Sequence, residues 1–586
     1  MAKPYKDNNK GKGGGSATGG QKRKSPSSSS SDQPSNSKRA LKKERQSYRP
    51  NNEVVVSSKD LWNKLRLKTN SKAEIRELAD SLYDLIKGKM SDLGKKHDAS
   101  RIVQAMIQHG TESQRDSCLS ELANDIPELS KQQYSHFIVL KLLKYCTSSK
   151  NKKDIVKSLK NQVVKLATHS VGARVVEVCL AEFSAKESEI LKREFYGKQY
   201  AMFTEGDMSS SGSNNNSGSD LLKALVEEHP DQKESILKHV ETVINKCLEK
   251  KLIAFAYVQD LLCQYTMSCS PSAINELSSS IVDYTLDVIT TRPGAKAICQ
   301  IASHSAAKER KRIMKTLKGY TRSSLLHRDA YIAIIRSIQV TDDTVTVQKM
   351  ILNELVKSPP PTPGQSQSTD HPLLEIAKDA NASKLLLFLL SEGGDVPHQY
   401  FDPWECDILA PAVNEKGEST SRKNPETRKS ELLQFLKNDI LKMVSQHAGD
   451  LIVNKYGGKV LENALGRWGE CVEFVMAALE EEALADVFES AVGHLVLKRL
   501  LLTYKEKEGE AEEGLPGKML EKFGDNFVDG MMKSSRGAFV LGALVEVSKE
   551  AKKKCKADKN LVKAMKEKSK GEKGTAGFLA LIDKLK

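Results

Sequence analysis

A short motif recurs along this chain at a nearly constant interval, and the interval limits the folds that the chain can adopt. Each copy begins with a small residue, continues with a polar or aromatic pair and then becomes rich in Leu, Ile and Val. The clearest copies begin at Ala99, Ser135, Gly172, Gly294, Ala330, Gly457, Gly493 and Gly537, and weaker copies begin at Ala254 and Ala382. The spacing is 36 residues from Ala99 to Ser135 and 37 from Ser135 to Gly172. A unit this short cannot bury its own apolar face, so such units stack on one another.

Composition and periodicity indicate that the stacked units are helical. Aromatic residues make up 5% of the chain and hydrophobic residues 39%, as expected for helices packed through Leu, Ile, Val and Ala. In the segment KAEIRELADSLYDLIKGKM, apolar residues recur at helical spacing up to Gly88. Ser58 is expected to cap the first helix. We therefore predict an all-α solenoid of roughly ten or eleven repeats.

Changes in composition divide the chain into segments. A Ser/Asn/Gly loop at 205–220 and a charged loop at 414–429 interrupt the repeats. The predicted segments are a disordered basic tail (1–56), a first repeat arm (57–357), a Pro-rich break (358–370), a second repeat arm (371–549) and a basic C-terminal segment that ends in a helix (550–586).

The positive charge is concentrated at the two ends. The formal net charge is +15, with +10 in residues 1–50 and +7 in residues 550–586, which leaves −2 for the region between them. A nucleic-acid surface on the repeats must therefore be a local group of basic side chains. Two basic clusters in the N-terminal tail are typical of a bipartite nuclear localisation signal, formed by Lys22, Arg23, Lys24, Lys38, Arg39, Lys42, Lys43 and Arg45. A nonspecific arm that binds polyanions is the alternative.

Several functional classes find no support in the sequence. The ten cysteines form no CxxC pair, and the twelve histidines show no HExxH spacing, so we expect neither a metal nor another cofactor. No Ser/His/Asp or Cys/His arrangement stands out, and we do not expect an enzyme. The first twenty residues lack the apolar segment of a signal peptide, and no apolar run approaches the ~20 residues needed to cross a membrane.

The first clear motif carries a polar group that a repeat core does not need. Ser100, Arg101 and Gln104 stand among Ile102 and Val103. Residues i and i+4 share one helix face, and i+1 lies beside them. A unit of this length with an xRxxQ pentad resembles the Pumilio (PUF) repeat. In that family, pentad positions one and five contact a base edge and position two stacks between bases. The resemblance implies an adenine-type site at Ser100, Arg101 and Gln104.

The other pentads carry basic residues more often than base-reading pairs. Several edge positions are Ala, Gly, Leu or Cys, which cannot discriminate between bases. We therefore expect that most repeats contact phosphates without reading sequence. The candidate RNA-binding residues are Ser100, Arg101, Gln104, His136, Arg174, Lys296, Lys459, Lys498 and Arg536.

Six longer segments narrow the resemblance. KDLWNKLRLK, HDASRIVQAMIQHGTESQR, ELSKQQYSHFIVLKLLKY, AYIAIIRSIQVTDDT, GHLVLKRLL and SRGAFVLGALV occur in the order found in the nucleolar Puf-A branch of the Pumilio-like proteins. This resemblance implies an L-shaped solenoid of two arms that binds structured or single-stranded RNA, and DNA, with little sequence preference. It also implies a location in the nucleus and nucleolus. The implied role is pre-rRNA processing and large ribosomal subunit assembly, with pre-ribosomal proteins as partners.

Other interpretations remain open at this point. Arg101 and Arg174 can equally be surface charges whose alkyl stems lie on the helices. His136 and His494 can be packing residues. A protein-binding scaffold of the HEAT or armadillo kind also stacks helices at a similar period, and the near-neutral charge of the repeats favours it. A sequence-specific PUF regulator of mRNA translation is a further alternative.

Overall fold

The computed structural model describes residues 51–202, 220–358, 370–394, 396–480, 487–488, 490–505, 513–569 and 575–586. The described residues are helices and connecting turns without a β-strand; an isolated bridge joins Val413 and Ser419. The proposed nuclear signal and most of the Pro-rich and Ser/Asn segments lie outside the described residues. Among the helices that are described, none combines the length and apolarity needed to cross a membrane.

The chain divides after Lys87 into two compact units. In the first unit, helices Asn52–Leu65 and Lys72–Ile86 pack against each other. Ser71 caps the second helix through a reciprocal bond pair with Glu74. The predicted start of the first helix was wrong. The helix begins at Asn52, so the last residues of the predicted tail are helical, and Ser58 is buried inside the helix instead of capping it.

The second unit contains the repeats. We name the helices that carry the recurring motif in chain order: α1 His97–His109, α2 His136–Tyr145, α3 Gly172–Glu182, α4 Ala256–Ser268, α5 Arg292–His304, α6 Tyr331–Val340, α7 Ser383–Leu390, α8 Lys455–Arg467, α9 Gly493–Leu502, α10 Ser535–Val547 and α11 Ala576–Leu585. Neighbours in this series pack side by side from α1 to α6 and again from α7 to α11. The predicted all-α repeat fold is confirmed.

The remaining α-helices of the second unit connect and support the motif helices. They are Met90–Gly94, Glu112–Leu122, Ile126–Lys131, Ser149–Leu159, Val163–Ala167, Ala185–Lys192, Lys198–Met202, Leu221–Glu228, Lys233–Glu249, Pro271–Ile281, Thr285–Val288, Ala307–Leu317, Thr321–Leu326, Thr344–Val347, Asn353–Leu355, Pro372–Lys378, Pro403–Ile408, Pro425–Ile452, Cys471–Glu480, Leu515–Met532, Lys549–Ala557 and Lys559–Lys568. Short 3₁₀ or π segments lie at Ala123–Asp125, Arg193–Tyr196, Pro230–Gln232, Val282–Tyr284 and Gln348–Leu352. The charged loop predicted at 414–429 is shorter than expected, because Asn424 caps a long helix that starts at Pro425.

The small residue that opens each motif has a steric cause. It lies where the motif helix starts against the end of the preceding helix. A Cβ atom on Gly294 would collide with the carbonyl oxygen of Val288, and one on Gly537 with that of Met531. The apolar residues that follow form the core; in α1, Ile102 is fully buried. The motif therefore encodes close helix packing as well as the exposed pentad.

The register of one weak motif was predicted wrongly. Helices α4 and α5 begin at Ala256 and Arg292, and both contain 13 residues. Because these starts are 36 residues apart, Val258 is the equivalent of Gly294, and the motif does not begin at Ala254. Gln259, Asp260 and Cys263 are consequently its pentad residues. Val258 lacks the small side chain of the other copies, which hid the correct register.

The basic C-terminal segment, which was predicted only to end in a helix, is folded over more of its length than expected. Residues 549–569 form two helices, and α11 packs against α10. Leu561, Met565, Phe578 and Leu581 are buried although they stand among many lysines. The basic segment therefore completes the repeat stack with a further motif helix. Its lysines hid the apolar pattern that drives this packing.

Candidate nucleic-acid interface

The candidate interface is the surface formed by the pentad positions of the motif helices, which we call the pentad face. It consists of positions one, two and five of each pentad, counted from the residue after the opening small residue. Since neighbouring motif helices pack side by side, equivalent positions follow one another from helix to helix. The chemistry of this face differs between α1–α3, α5–α8 and α9–α11.

On α1, the pentad offers Arg101 and Gln104. Arg101 is exposed. The Gln104 side-chain amide donates weakly to the backbone oxygen of Tyr134, at 3.4 Å. Ser100 differs from the prediction: it is only 1% exposed, and its hydroxyl donates to the His97 carbonyl at 3.2 Å. Ser100 is thus part of the helix packing, and the predicted three-residue base site loses one member.

On α2, the exposed group is aromatic. Phe137 occupies position two and is 41% exposed, and Tyr134 lies exposed just before the helix. The His97 ring meets Tyr134 edge to face at 3.9 Å between centroids. His136 is buried, and its Nδ1 lies 3.1 Å from the Gln132 carbonyl. Its ring lies 4.0 Å from that of Phe137, so His136 supports the exposed ring from below.

The pKa of His136 is lowered. Burial is the largest cause, and the positive charge of Arg174 acts in the same direction, while backbone hydrogen bonding to Gln132 opposes the shift. Loss of solvation disfavours the charged imidazolium. Near neutral pH the ring is therefore neutral, which suits its packing against Phe137.

On α3, Arg174 occupies position two and is exposed. The acidic residue at position five, Glu177, is engaged within the protein. Its two carboxylate oxygens accept the backbone N–H groups of Ala256 (3.0 Å) and Tyr257 (3.2 Å) at the start of α4. This arrangement places the carboxylate at the positive end of a helix. Position two of α1–α3 thus presents an Arg, a Phe and an Arg in sequence.

On α5–α8 the pentad face is covered by the chain itself. The covering segment comprises residues 396–409, which we call the strap. Its Trp404 ring lies against α5, with the Arg292 guanidinium carbon 4.9 Å and the Lys296 Nζ 5.4 Å from the ring centroid. These are cation–π distances. The predicted RNA-binding residue Lys296 therefore already faces an aromatic ring of the protein.

The strap is fastened by a buried carboxylate. Glu405 is 0% exposed and accepts from the Lys384 Nζ of α7 at 2.6 and 2.7 Å and from the Tyr331 hydroxyl of α6. The Asp402 backbone N–H donates to Glu405 as well, at 2.6 Å. Lys384 also lies 5.7 Å from the Phe401 ring. A carboxylate buried this deeply needs such partners, and here they come from two motif helices.

The strap also reaches α8. The Tyr400 ring lies 5.4 Å from Lys459 Nζ, and its hydroxyl accepts from Asn463 at 2.7 Å. Burial lowers the pKa of Lys459, and the neighbouring positive charge of Arg499 adds to this shift. Lys459, a second predicted RNA-binding residue, is therefore half-buried beneath Tyr400.

Buried arginines hold the end of the strap. Arg336 of α6 donates to the Leu409 carbonyl at 3.0 Å, and burial lowers its pKa to about 10. The loop that follows is fixed by Arg428, which donates to Asp342 at 3.1 Å and to the Lys423 carbonyl at 2.9 Å. The strap is thus anchored along its length.

On α9–α11 the face is largely apolar, and no described residue covers it as the strap covers α5–α8. Position two is occupied by Leu495, Phe539 and Leu579, and both leucines are 50% exposed. The predicted residue Lys498 lies with its Nζ 5.6 Å from the Phe539 ring, and Arg536 is exposed at the start of α10. His494 is buried, and its Nδ1 lies 2.7 Å from the Ser490 carbonyl, which is a packing role.

The structure therefore brings only some of the predicted residues together. Arg101, Gln104 and Arg174 share the open face of α1–α3, whereas Lys296 and Lys459 lie under the strap and Lys498 and Arg536 belong to α9–α10. The prediction missed Tyr134 and the ring-bearing strap. The aromatic run at 134–137 was an available signal for the first. In the described part of the chain, no group of three or more His, Cys, Asp or Glu is placed to hold a metal ion.

Comparisons with known proteins agree with this architecture. The model of the Pumilio-family RNA binding repeat matches residues 99–123, 125–159 and 162–194, which span α1–α3. The model of the CPL (NUC119) domain matches residues 378–513, which include the strap. The first match thus covers the open repeats α1–α3, and the second covers the strap together with α7–α9.

Relatives extend the similarity over most of the chain. Human Pumilio homolog 3 is 27% identical over 524 residues, which cover 87% of this chain and 76% of that protein. Pumilio homology domain family member 6 of Schizosaccharomyces pombe is 26% identical, covering 73% of this chain and 63% of that protein. The crystal structure of human Puf-A in complex with DNA is similar with a TM-score of 0.75 and 26% identity, covering 91% of this chain and all of that one. Over most of its length this chain is thus similar to Puf-A-type Pumilio-like proteins, and its α1–α3 region matches the Pumilio-family RNA binding repeat.

Proposed function

We propose that this protein binds RNA, and single-stranded DNA as well, through the pentad face of α1–α3 and with little sequence discrimination. The observation that carries the proposal is the open row of position-two residues Arg101, Phe137 and Arg174. An aromatic ring between two guanidinium groups provides a stacking surface and two phosphate contacts. The human Puf-A structure with bound DNA supports a nucleic-acid ligand.

The neighbouring positions explain the lack of sequence discrimination. Ser100 is buried, and Leu140 and Ala173 offer no hydrogen-bonding group. Gln104 is the remaining amide at the edge positions of α1–α3. Stacking and phosphate contacts accept any base, and one amide discriminates weakly. This favours a nonspecific binder over a sequence-specific regulator of mRNA translation.

We propose a nucleolar role in pre-rRNA processing and large ribosomal subunit assembly, with pre-ribosomal proteins as partners. The relationship to Puf-A-type proteins supports this role. The basic clusters from Lys22 to Arg45 are proposed to direct the chain to the nucleus. Because they carry much of the positive charge, they also add nonspecific affinity for RNA.

The binding site is tested with the full chain and fluorescent 20-nucleotide RNAs of unrelated sequence, measured by anisotropy at several salt concentrations. We expect similar affinities for all RNAs. In Arg101→Ala/Arg174→Ala the slope of log affinity against log salt should decrease in magnitude by about 1.4, because roughly 0.7 is lost per phosphate contact. The control is Lys153→Ala/Lys157→Ala, which removes the same charge from helix Ser149–Leu159, away from the pentad positions. An equal loss in both variants would contradict a defined site.

The cellular role is tested by depleting the protein and restoring it with variants. Substituting alanine in both basic clusters should reduce nuclear accumulation of a fluorescent fusion. Restoring the Arg101→Ala/Phe137→Ala/Arg174→Ala variant should leave unprocessed pre-rRNA at the depleted level, whereas Lys153→Ala/Lys157→Ala should restore processing. Normal pre-rRNA in depleted cells would contradict the proposed role.

A further inference from the structure

The apolar row on α9–α11 has the features of a peptide-docking surface. Leu495, Phe539 and Leu579 occupy the same pentad position on consecutive helices, and the two leucines are half exposed. An isolated exposed leucine is ordinary, whereas a row of three apolar side chains repeated at the position that carries cations elsewhere is a continuous patch. The patch is separate from the open nucleic-acid face of α1–α3.

The chain itself shows how a peptide lies on equivalent positions. The strap rests on α5–α8 with Trp404 against Lys296, Phe401 against Lys384 and Tyr400 against Lys459. It combines these three aromatic residues with three acidic ones and contains no Lys or Arg. An acidic, aromatic peptide is therefore the chemistry that this pentad face accepts within the protein.

The strap begins next to α8 and the end of α9. Gln399 and Tyr400, near the start of the strap, line a shallow depression together with Glu462 of α8 and Thr503, which follows α9. A second peptide on α9–α11 would thus extend the line that the strap follows. Within the part of the chain that the structure describes, Leu495 and Leu579 of α9 and α11 are each 50% exposed, without a cover equivalent to the strap.

The surroundings of the row are basic. Lys498 lies over the Phe539 ring, and Arg536 is exposed beside it. Lys505 and Lys584 both bind the carboxylate of Glu546, at 2.5 Å each. The two lysines lower the pKa of Glu546 to about 2, so the carboxylate stays charged. The positive charges of Lys498 and Arg536 complement an acidic partner.

We propose that the pentad face of α9–α11 docks an extended segment of a partner protein that carries acidic residues together with Phe, Trp or Leu. The apolar side chains of the partner pack on Leu495, Phe539 and Leu579, while its carboxylates face Lys498 and the neighbouring cations. Aliphatic side chains at two of the three positions favour a peptide over nucleic-acid bases, which stack on aromatic rings and guanidinium planes.

The test uses random 16-residue peptides displayed on phage. Peptides that bind the full-length protein are kept, and those that also bind the variant Leu495→Glu/Leu579→Glu are discarded. Both leucines are half exposed, so the variant should fold; unchanged melting checks this. Surviving peptides should be enriched in Asp, Glu, Phe, Trp and Leu. A synthetic, labelled representative should bind the wild-type chain about tenfold more tightly than the double variant. Leu67→Glu, an equally exposed leucine in the first unit, should bind like wild type.

Two further results sharpen the test. Lys498→Glu should weaken the same peptide severalfold and make its binding less dependent on salt. The absence of any peptide that depends on the two leucines, or a set of survivors rich in Lys and Arg, would overturn the proposal. The proposal would also be overturned if Leu495→Glu/Leu579→Glu lowered the affinity for RNA and no peptide required the two leucines. That result would assign the apolar row to nucleic-acid binding.

Discussion

The pentad faces of α1–α3 and α5–α8 carry the same kind of residue in opposite states. Position two is Arg101, Phe137 and Arg174 on the first group, and all three are exposed. On the second group, Lys296 and Lys459 face aromatic rings of the strap. A cation at a given motif position is therefore exposed in one part of the molecule and an internal packing contact in another.

The repeat motif therefore determines the direction of a side chain, but it does not determine whether that side chain contacts solvent or another part of the protein. The strap supplies to α5–α8 what a nucleic acid would supply: flat rings over the cations and a carboxylate in place of a phosphate. Because Glu405 makes several hydrogen bonds to two motif helices, the strap is part of the folded structure. The open face of α1–α3 is thus the region of the two that remains for RNA.

The largest expected effect comes from Glu405→Ala, which removes the buried carboxylate that is the main partner of the largely covered Lys384. Breaking a buried ion pair from one side costs about 3–5 kcal/mol, so the melting temperature should fall clearly. The matched control is Asp402→Ala, because Asp402 is exposed and lies 3.9 Å from the same lysine. Its effect should be smaller, about 1–2 kcal/mol, because Asp402 caps helix Pro403–Ile408 but its charge is exposed. Both variants are measured by thermal unfolding. Equal losses of stability in the two would show that Glu405 does not hold the strap in place.

The next largest effect is expected on RNA affinity. Arg101→Ala/Phe137→Ala/Arg174→Ala should weaken binding roughly a hundredfold at low salt, since stacking contributes about 1–3 kcal/mol and both phosphate contacts are lost. Anisotropy with a 20-nucleotide RNA measures this. Phe137→Trp should retain most of the affinity, because it preserves the stacking surface. If Phe137→Ala bound RNA as tightly as the wild type, base stacking on Phe137 would not be part of the binding site.

A smaller effect is expected for the lysines under the strap. Lys296→Ala/Lys459→Ala should change RNA affinity less than about twofold, because both side chains face strap rings. The same pair of substitutions should become important in a chain whose strap carries Trp404→Ala and Tyr400→Ala. If the lysine variant alone loses RNA affinity as strongly as Arg101→Ala/Arg174→Ala, the comparison between the two faces fails.

The smallest effect concerns pH. Because burial lowers the pKa of His136 in the folded state, the unfolded state binds protons more readily. The stability that the neutral ring contributes is present above about pH 6.5 and is lost as pH falls below it. The difference in melting temperature between wild type and His136→Gln should therefore shrink from pH 7.5 to pH 5. A constant difference over this range would contradict the burial of a neutral ring.

The sequence predicted the repeat architecture well for a clear physical reason. Each motif helix starts close to the end of the helix before it, and this needs a small residue such as Gly172, Gly294 or Gly537. Because the same need recurs in each repeat, the pattern is visible in the sequence. The prediction fails where a repeat lacks this small residue or where other residues obscure the pattern. Val258 replaces the small residue in α4, and the register was misplaced. Lysines stand near Phe578 and Leu581, and the predicted last helix was not recognised as a further motif helix of the stack.

The candidate site was predictable only in part. Arg101, Gln104 and Arg174 follow from the local motif. The burial of Ser100 does not, because it depends on packing around the helix. The contact between Trp404 and Lys296 joins residues that are distant in sequence, and no local pattern in "FDPWECDIL" announces where it will lie. Long-range contacts of this kind decide which motif cations remain exposed.

The most direct measurement maps RNA on the full-length chain by photocrosslinking. A 4-thiouridine-labelled 20-nucleotide RNA is bound, irradiated and digested, and the crosslinked peptides are identified by mass spectrometry. We expect crosslinks in α1–α3 and the adjoining Tyr134, centred on Phe137, and few in α5, α8 or the strap. Crosslinks concentrated on Trp404, Tyr400 and the lysines beneath them would contradict the assignment of RNA to the open face.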